Sequence, residues 1–259
     1  MASAVGRLTF PQTNAASEGK IMGTRGLTAV MADGTYRIAQ YGQWDHYPSG
    51  QGVVALEFAR AHLSNDEGRE AFKKKLEQVR FVSDEEHKEF WKTIPGVNGE
   101  FVTFPQADQF DEKWPYFSRD HGAKILELVH EATGKVLTRD QITFASESLY
   151  CEWAYVLDLD KKTLEAYQGF NKKPLPAGER FADFPIEETS VGTYFPVRHR
   201  ATFSLDKLPT KKEFLSVLRD EEEEEESKDL DAVEAPPVLV TKKPKALPAA
   251  KKSKKKKAS

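Results

Sequence analysis

The sequence predicts an α+β protein with a mixed or mainly antiparallel sheet, helices packed on that sheet and a disordered tail at each end. Two segments, near residues 34 and 160, have the strand-turn-strand pattern of a β-hairpin. Between and after them, apolar residues recur with helical spacing. A chain of 259 residues with 39% apolar content can form one substantial core. We therefore expect a single α+β domain over residues 22–219.

The first hairpin surrounds Asp33-Gly34, a dipeptide typical of tight two-residue turns. The second surrounds Asp158 to Lys162. The strand that begins near Trp153 has apolar or aromatic residues at almost every position, which indicates a central strand covered on both faces. The predicted strands are Gly26–Met31, Tyr36–Gln43, the two halves of the hairpin between Tyr150 and Gly169, and Phe195–Phe203.

Helical patterns fall between and after the hairpins. Ser64 and Ser83 each stand three residues before a glutamate, which is the spacing of a capping box. In this motif the serine side chain accepts a hydrogen bond from a free N–H group at the start of the helix. The segment from Pro95 to Pro115 mixes glycine, proline and single aromatics without a period, so we expect a long irregular loop there. The predicted helices are Val53–Leu63, Asp66–Val79, one from Asp84 that ends at Gly96, one from Ile125 that stops at Gly134, and Lys211–Arg219.

Neither end of the chain has the pattern of a folded element. Residues 1–21 are rich in Ala, Ser, Thr and Asn and have neither a helical nor a strand period. Residues 220–259 carry ten acidic residues and ten lysines, with an acidic block followed by a lysine-rich one. We expect both tails to be disordered. The run Lys251–Lys257 favours nuclear import or weak contact with polyanions over a merely solubilising role.

Several classes of protein are excluded by composition. One cysteine, Cys151, rules out an internal disulfide and a zinc site built from cysteines. No run approaches ~18 consecutive apolar residues, and no cationic, apolar leader opens the chain. Neither HExxH, GxGxxG nor a Walker sequence is present. We therefore expect an intracellular protein, nuclear or cytoplasmic, without membrane contact, metal or cofactor.

A polar and aromatic loop at residues 41–52 is the most informative functional feature. It contains Gln43-Trp44-Asp45-His46-Tyr47-Pro48, which places a donor, an indole, a carboxylate, an imidazole and a phenol side by side. Aromatic groups on a loop bounded by glycine and proline are costly to expose unless they pack or bind, so the loop is either a lid on the core or a pocket for a protein or small-molecule ligand. The expected ligand-binding residues are Arg25, Tyr41, Gln43, Trp44 and Tyr47.

An alternative function is amide hydrolysis of the N-terminal-nucleophile type. In such enzymes a freed Thr, Ser or Cys uses its own amine as the base. Thr24 would be the nucleophile, with Asp45, His46 and Arg25 orienting the substrate or stabilising an oxyanion. This function requires removal of the chain up to Gly23, whereas a non-enzymatic binding module requires no processing. The binding module is the preferred hypothesis.

Three stretches together resemble a known group of sequences. They are Thr24-Arg25-Gly26-Leu27, the run from Gln43 to Gly52, and Tyr155-Val156-Leu157-Asp158-Leu159-Asp160. On these residues the chain resembles an uncharacterised family of hypothetical proteins from fungi and bacteriophages, over roughly residues 22–208. The resemblance implies kinship without a reaction, so it assigns no catalytic residue.

Overall fold

The structure is a computed structural model that describes residues 23–97 and 102–219, and the predicted tails lie outside these ranges. The described residues form nine strands and six α-helices, joined by loops and short 3₁₀ or π turns. In chain order the elements are β1 (Gly26–Ala32), β2 (Thr35–Gly42), α1 (Val53–His62), α2 (Asp66–Leu76), β3 (Val79–Val82), α3 (Asp84–Lys92), α4 (Phe104–Lys113), α5 (Ile125–Glu131), β4 (Val136–Arg139), β5 (Trp153–Asp158), β6 (Thr163–Gln168), β7 (Glu187–Thr189), β8 (Gly192–Tyr194), β9 (Arg198–Ser204) and α6 (Lys211–Leu218).

The main sheet has the strand order β2-β1-β5-β6-β9. Only the β1–β5 pair is parallel, and the other pairs are antiparallel. The predicted α+β class with a mixed, mainly antiparallel sheet is therefore confirmed. At the β1–β2 turn, Asp33 and Gly34 have positive φ of 54° and 70°, as the predicted tight turn requires. Asp160 in the second hairpin turn accepts hydrogen bonds from both of their N–H groups, at 3.0 and 2.9 Å, which ties the two hairpins together.

Strand β5 is the central strand, and all six of its residues are buried. Trp153, Tyr155 and Leu157 belong to the larger apolar cluster, with side chains of α1, α2, α5 and α6. Ala154 and Val156 belong to the smaller cluster on the opposite face. This alternation confirms the prediction of a strand covered on both faces. In the described ranges no helix is long and apolar enough to cross a bilayer.

The helices agree with most of the predictions, with local corrections. The capping box at Ser83 forms, since its Oγ accepts from the Glu86 N–H at 3.1 Å. The capping box expected at Ser64 was wrong, because Asn65 caps α2 instead and accepts from the Gly68 N–H at 2.8 Å. Three ends were also placed too late: α2 stops at Leu76, α3 ends at Lys92 rather than at Gly96, and α5 ends at Glu131 rather than at Gly134.

The irregular loop expected between Pro95 and Pro115 was a larger error, because this segment contains α4. Thr103 caps that helix, and the Gln106 Oε1 accepts from its N–H at 2.9 Å. Pro105 lies in the first turn of the helix, where its missing N–H removes no hydrogen bond. Trp91 of α3 stacks on Phe110 of α4 at 3.8 Å between ring centroids. The short β3–β4 and β7–β8 pairs were also not predicted.

Candidate functional site

The predicted recognition loop connects β2 to α1 and has an ordered backbone. It leaves β2 after Gly42 and enters α1 through a π-helical turn at Pro48–Gly52. The His46 N–H donates to the Thr24 carbonyl at 3.1 Å, which fastens the loop to the segment before β1. The Gln51 N–H donates to the Asp45 carbonyl at 2.8 Å, and Asp45 itself has a positive φ of 57°. The loop is therefore held to its neighbours and closed on itself.

The imidazole of His46 packs on two glycines. Gly26 of β1 and Gly42 of β2 are directly paired in the sheet. A Cβ at Gly42 would lie 1.9 Å from the ring carbon Cε1, and one at Gly26 would lie 2.4 Å from Cδ2. Both distances are far shorter than a carbon–carbon contact, so any larger residue would displace the ring. The two glycines thus form a flat platform that fixes the position of His46.

His46 is a buried and neutral anchor. Its exposed fraction is 0%, and neither ring nitrogen has a hydrogen-bond partner among the described residues. Burial lowers the pKa of His46 to about 4. The carbonyls of Trp44 and Thr24 lie close enough to oppose this shift of the pKa, although neither meets hydrogen-bond geometry. The Tyr155 hydroxyl donates to the backbone carbonyl of His46 at 3.0 Å.

Thr24 is buried in the same region, with an exposed fraction of 1%. Its carbonyl accepts from His46, while its hydroxyl has no partner among the described residues. Asp45, by contrast, is exposed. The three residues expected to catalyse are therefore divided between interior and surface.

Three of the predicted ligand-binding residues come together on the opposite face of β1 and β2. Leu27 pairs with Tyr41, so the alternation of the strands puts Arg25, Tyr41 and Gln43 on one face. The Tyr41 hydroxyl donates to the Gln43 Oε1 at 2.5 Å. The guanidinium carbon of Arg25 lies 4.8 Å from the ring centroid of Tyr150.

Arg119 joins this group from the loop after α4. The Gln43 N–H donates to the Arg119 carbonyl at 2.9 Å. Burial raises the pKa of Tyr41, and the positive charges of Arg25 and Arg119 oppose that rise of the pKa. We call Arg25, Tyr41, Gln43, Arg119 and Tyr150 the arginine–tyrosine cluster.

Trp44 and Tyr47 form the outer rim of the loop. Their exposed fractions are 44% and 43%. The Trp44 indole N–H donates to the Asp120 Oδ1 at 2.9 Å. The indole also lies over Gly23, where a Cβ would be 2.3 Å from its Cε3 atom. Trp44 is thus fixed from two sides and still exposes nearly half of its surface.

Arg119, Asp120 and Tyr150 were missed by the sequence analysis. Asp120 is 76 positions from its partner Trp44, and no local pattern marks it as a neighbour of the loop. The same is true of Tyr150, which follows a 3₁₀ turn at Ile142–Ser146 and reaches Arg25 only through the pairing of β1 with β5.

Metal and thiol chemistry receive no support from the described residues. Within them, no three His, Cys, Asp or Glu side chains are grouped so that they could hold a metal ion. Cys151 is buried, and burial raises the pKa of its thiol well above the ordinary value. A thiol in this state is a poor nucleophile.

Comparison of the chain with protein-family models, with curated proteins and with solved structures gave no match. The resemblance to the fungal and bacteriophage family therefore stays a prediction, and the function has to be argued from the geometry of the loop.

Proposed function

We propose that this protein is a non-enzymatic binding module. Its ligand, a protein or a small molecule, contacts the arginine–tyrosine cluster and the rim residues Trp44 and Tyr47. The observation that carries the proposal is the exposure of two large aromatic side chains on a loop whose backbone is hydrogen-bonded and packed on glycine. A fixed aromatic group loses little conformational entropy when it binds, which makes it an effective contact residue.

The sequence left two roles open for the loop, a lid on the core and a pocket for a ligand. In this proposal different residues of the loop have these two roles. His46 faces inward and supports the core, as a lid residue would. Trp44 and Tyr47 face outward, and the core does not cover them. Trp44→Ala should therefore leave a folded domain with weaker ligand binding, whereas loss of the whole fold would support the lid alone.

Fluorine NMR of protein labelled with 5-fluorotryptophan tests this proposal. The chain has four tryptophans, so Trp44→Phe assigns the Trp44 resonance by its disappearance. Titration with a library of small molecules and peptides should shift the Trp44 resonance while the buried Trp153 stays in place. Tyr47→Ala should weaken the response, and Val217→Ala, which changes another exposed apolar residue on α6, should not. A library in which no member moves the Trp44 resonance would contradict the proposal.

The lysine run at 251–257 lies outside the described residues, and we propose that it supplies weak contact with polyanions and favours the nucleus over the cytoplasm. Exchanging its lysines for glutamine should move a fluorescently tagged chain out of the nucleus. An unchanged distribution would remove this part of the proposal.

Hydrolysis by Thr24 is the second candidate function. Its support is the buried Thr24 hydroxyl, which has no partner among the described residues. The carbonyl of the same residue accepts from the backbone N–H of His46, whose neutral imidazole is also without a partner there. The mechanism needs a free amine at Thr24. Intact mass and N-terminal sequencing of protein from its native cell decide the matter: a chain that starts at Thr24 supports hydrolysis, and a chain that retains earlier residues excludes it.

A further inference from the structure

We propose that the arginine–tyrosine cluster binds an oxyanion, a carboxylate or a phosphate, carried next to a planar group on the ligand. This inference rests on the proposed binding function and specifies its chemistry. It follows from the hydrogen-bond donors at the cluster, from the nearby carboxylates and from the two aromatic rings at its border.

Arg25 supplies the central positive charge. Its guanidinium lies over the ring of Tyr150 at 4.8 Å and is partly exposed. The same guanidinium also acts on the Tyr41 side chain, where it opposes the rise of the pKa that burial causes, and it carries five N–H groups in one plane. Those groups have the fork geometry that binds two oxygens of a carboxylate or phosphate at once.

Gln43 adds a donor to the same place. Its Oε1 accepts from the Tyr41 hydroxyl, so its amide NH₂ is the donor end of the side chain. Arg119 adds a second positive charge: it is partly exposed, and its charge opposes the rise of the pKa that burial causes in Tyr41 and also in Asp111. Two cations and an amide around one phenol favour an anion over a cation.

The neighbouring carboxylates each accept a hydrogen bond from a group other than the Arg25 guanidinium. The Glu152 Oε1 accepts from the backbone N–H of Arg25 at 3.4 Å, a long contact to the main chain. The Asp120 Oδ1 accepts from the Trp44 indole at 2.9 Å. The positive charge of Arg25 still acts on Glu152, where it opposes the rise of the pKa that burial causes. No hydrogen bond joins the two side chains among the described residues, and Arg25 is partly exposed.

Two exposed aromatic rings lie in the cluster or next to it. Tyr150 is 38% exposed, and Trp44, which follows Gln43 in the chain, donates to Asp120, the residue after Arg119. A planar group attached to the anion would stack on one of these rings with an offset or edge-on geometry. The planar part adds affinity, and the anionic part fixes the orientation.

The same fluorine NMR experiment, with four defined probes, tests the inference. Phenyl phosphate and benzoate combine an anion with a ring, inorganic phosphate is the anion alone, and benzylamine is a ring with the opposite charge. We expect the two aromatic anions to shift the Trp44 resonance at the lowest concentrations, inorganic phosphate to bind more weakly, and benzylamine to have the least effect. Added salt should weaken binding of both aromatic anions.

Arg25→Gln should weaken binding of phenyl phosphate about tenfold or more, the effect of losing one charged hydrogen bond. Arg37→Gln is the matched control, because Arg37 lies on β2 and pairs with Asp33 at 3.6 Å, away from the cluster. Thermal unfolding checks that each variant folds, and Arg119→Gln provides a second test if Arg25→Gln does not fold.

The outcomes separate the two proposals. If benzylamine binds as tightly as phenyl phosphate, or if both arginine variants bind normally, the anion chemistry is wrong while the binding function stands. If none of the four probes shifts the Trp44 resonance but another library member does, the anion chemistry is again wrong and the binding function stands. If nothing shifts Trp44, both proposals fail.

Discussion

Two buried polar regions lie on the same sheet and are stabilised in opposite ways. Near the second hairpin turn, Arg180 is buried with two carboxylates: it donates to Asp158 at 2.5 Å and to Glu165 at 2.7 and 2.9 Å. The Tyr167 hydroxyl donates to Glu165 as well, at 2.5 Å. At the recognition loop, His46 is equally buried, but its ring nitrogens have no partner in the described part of the chain.

The difference separates stabilisation by hydrogen bonding from stabilisation by packing. Each carboxylate oxygen of Asp158 and Glu165 accepts at least one hydrogen bond, because the Asp158 Oδ1 also accepts from the N–H groups of Asp160 and Lys161. The His46 ring is held by its contact with two glycines and must stay neutral. We expect the Arg180 region to lose stability when a hydrogen-bond partner is removed. We expect the His46 region to lose stability when a larger residue fills the space beside the ring or when the ring is protonated.

Loss of Arg180 should have the largest effect. Arg180→Met leaves the carboxylates of Asp158 and Glu165 buried without their cation, and breaking a buried ion pair in this way costs about 3–5 kcal/mol of unfolding free energy. Urea denaturation monitored by circular dichroism measures the change. Arg198→Met, on the exposed part of β9, should cost far less. Equal losses in the two variants would show that the buried network has no special importance.

Protonation of His46 should have the next largest effect. The pKa of this group is about 4 when folded and 6.5 when unfolded, so the unfolded state takes up the proton first. Its contribution to unfolding free energy is complete above pH 6.5 and falls by about 3 kcal/mol as the pH approaches 4. The pKa of Glu165 is lowered from 4.5, so its contribution is lost only below that pH.

The two regions should therefore respond in different pH ranges. Urea denaturation between pH 7 and 4.5 should show a steeper decline for the natural chain than for His46→Phe. Burial also lowers the pKa of His87 to about 4, so His87→Phe is the necessary comparison. If His46→Phe keeps the full decline and His87→Phe removes it, the assignment to His46 is wrong.

Filling the glycine platform should have the smallest of the three effects. Gly42→Ala places a methyl group 1.9 Å from the His46 ring, and overpacking of this kind costs about 1–3 kcal/mol of unfolding free energy. Gly134→Ala is the control, since a Cβ there meets nothing within 4 Å. Thermal melts should show a lower midpoint for Gly42→Ala alone. An unchanged midpoint would mean that the loop accommodates the methyl group and that the platform does not constrain it.

Local chemistry determined which parts of the fold could be predicted. The Asp33-Gly34 turn and the Ser83 capping box depend on neighbouring residues, and both have the expected geometry. Helix α4 was missed although Thr103 and Gln106 had the same spacing, because the mixture of glycine, proline and single aromatics in this segment showed no helical period. Arg180 could not be placed, since its partners are 15 and 22 positions away and nothing in their local sequence marks the pairing.

At the candidate site, side chains alternate between the two faces of β1 and β2, and this alternation determines which neighbours could be predicted from the sequence. Arg25, Tyr41 and Gln43 lie on one face, and their expected role in binding stays a prediction. Thr24 and His46 belong to the interior, which depends on the glycines beneath the ring rather than on any property of the loop itself. Only the tertiary structure shows that adjacent residues of one loop face opposite directions.

The parallel pairing of β1 with β5 has a consequence for folding kinetics. Each hairpin can form from neighbouring residues, but the contact that joins them brings together Arg25 and Glu152, 127 positions apart. Closing so long a segment costs chain entropy before any contact compensates for it. We expect this step to limit the folding rate, with refolding in about milliseconds to seconds rather than microseconds. Stopped-flow fluorescence of a variant that keeps only the buried Trp153 among its four tryptophans would record this step. The central strand of the sheet would then be completed last.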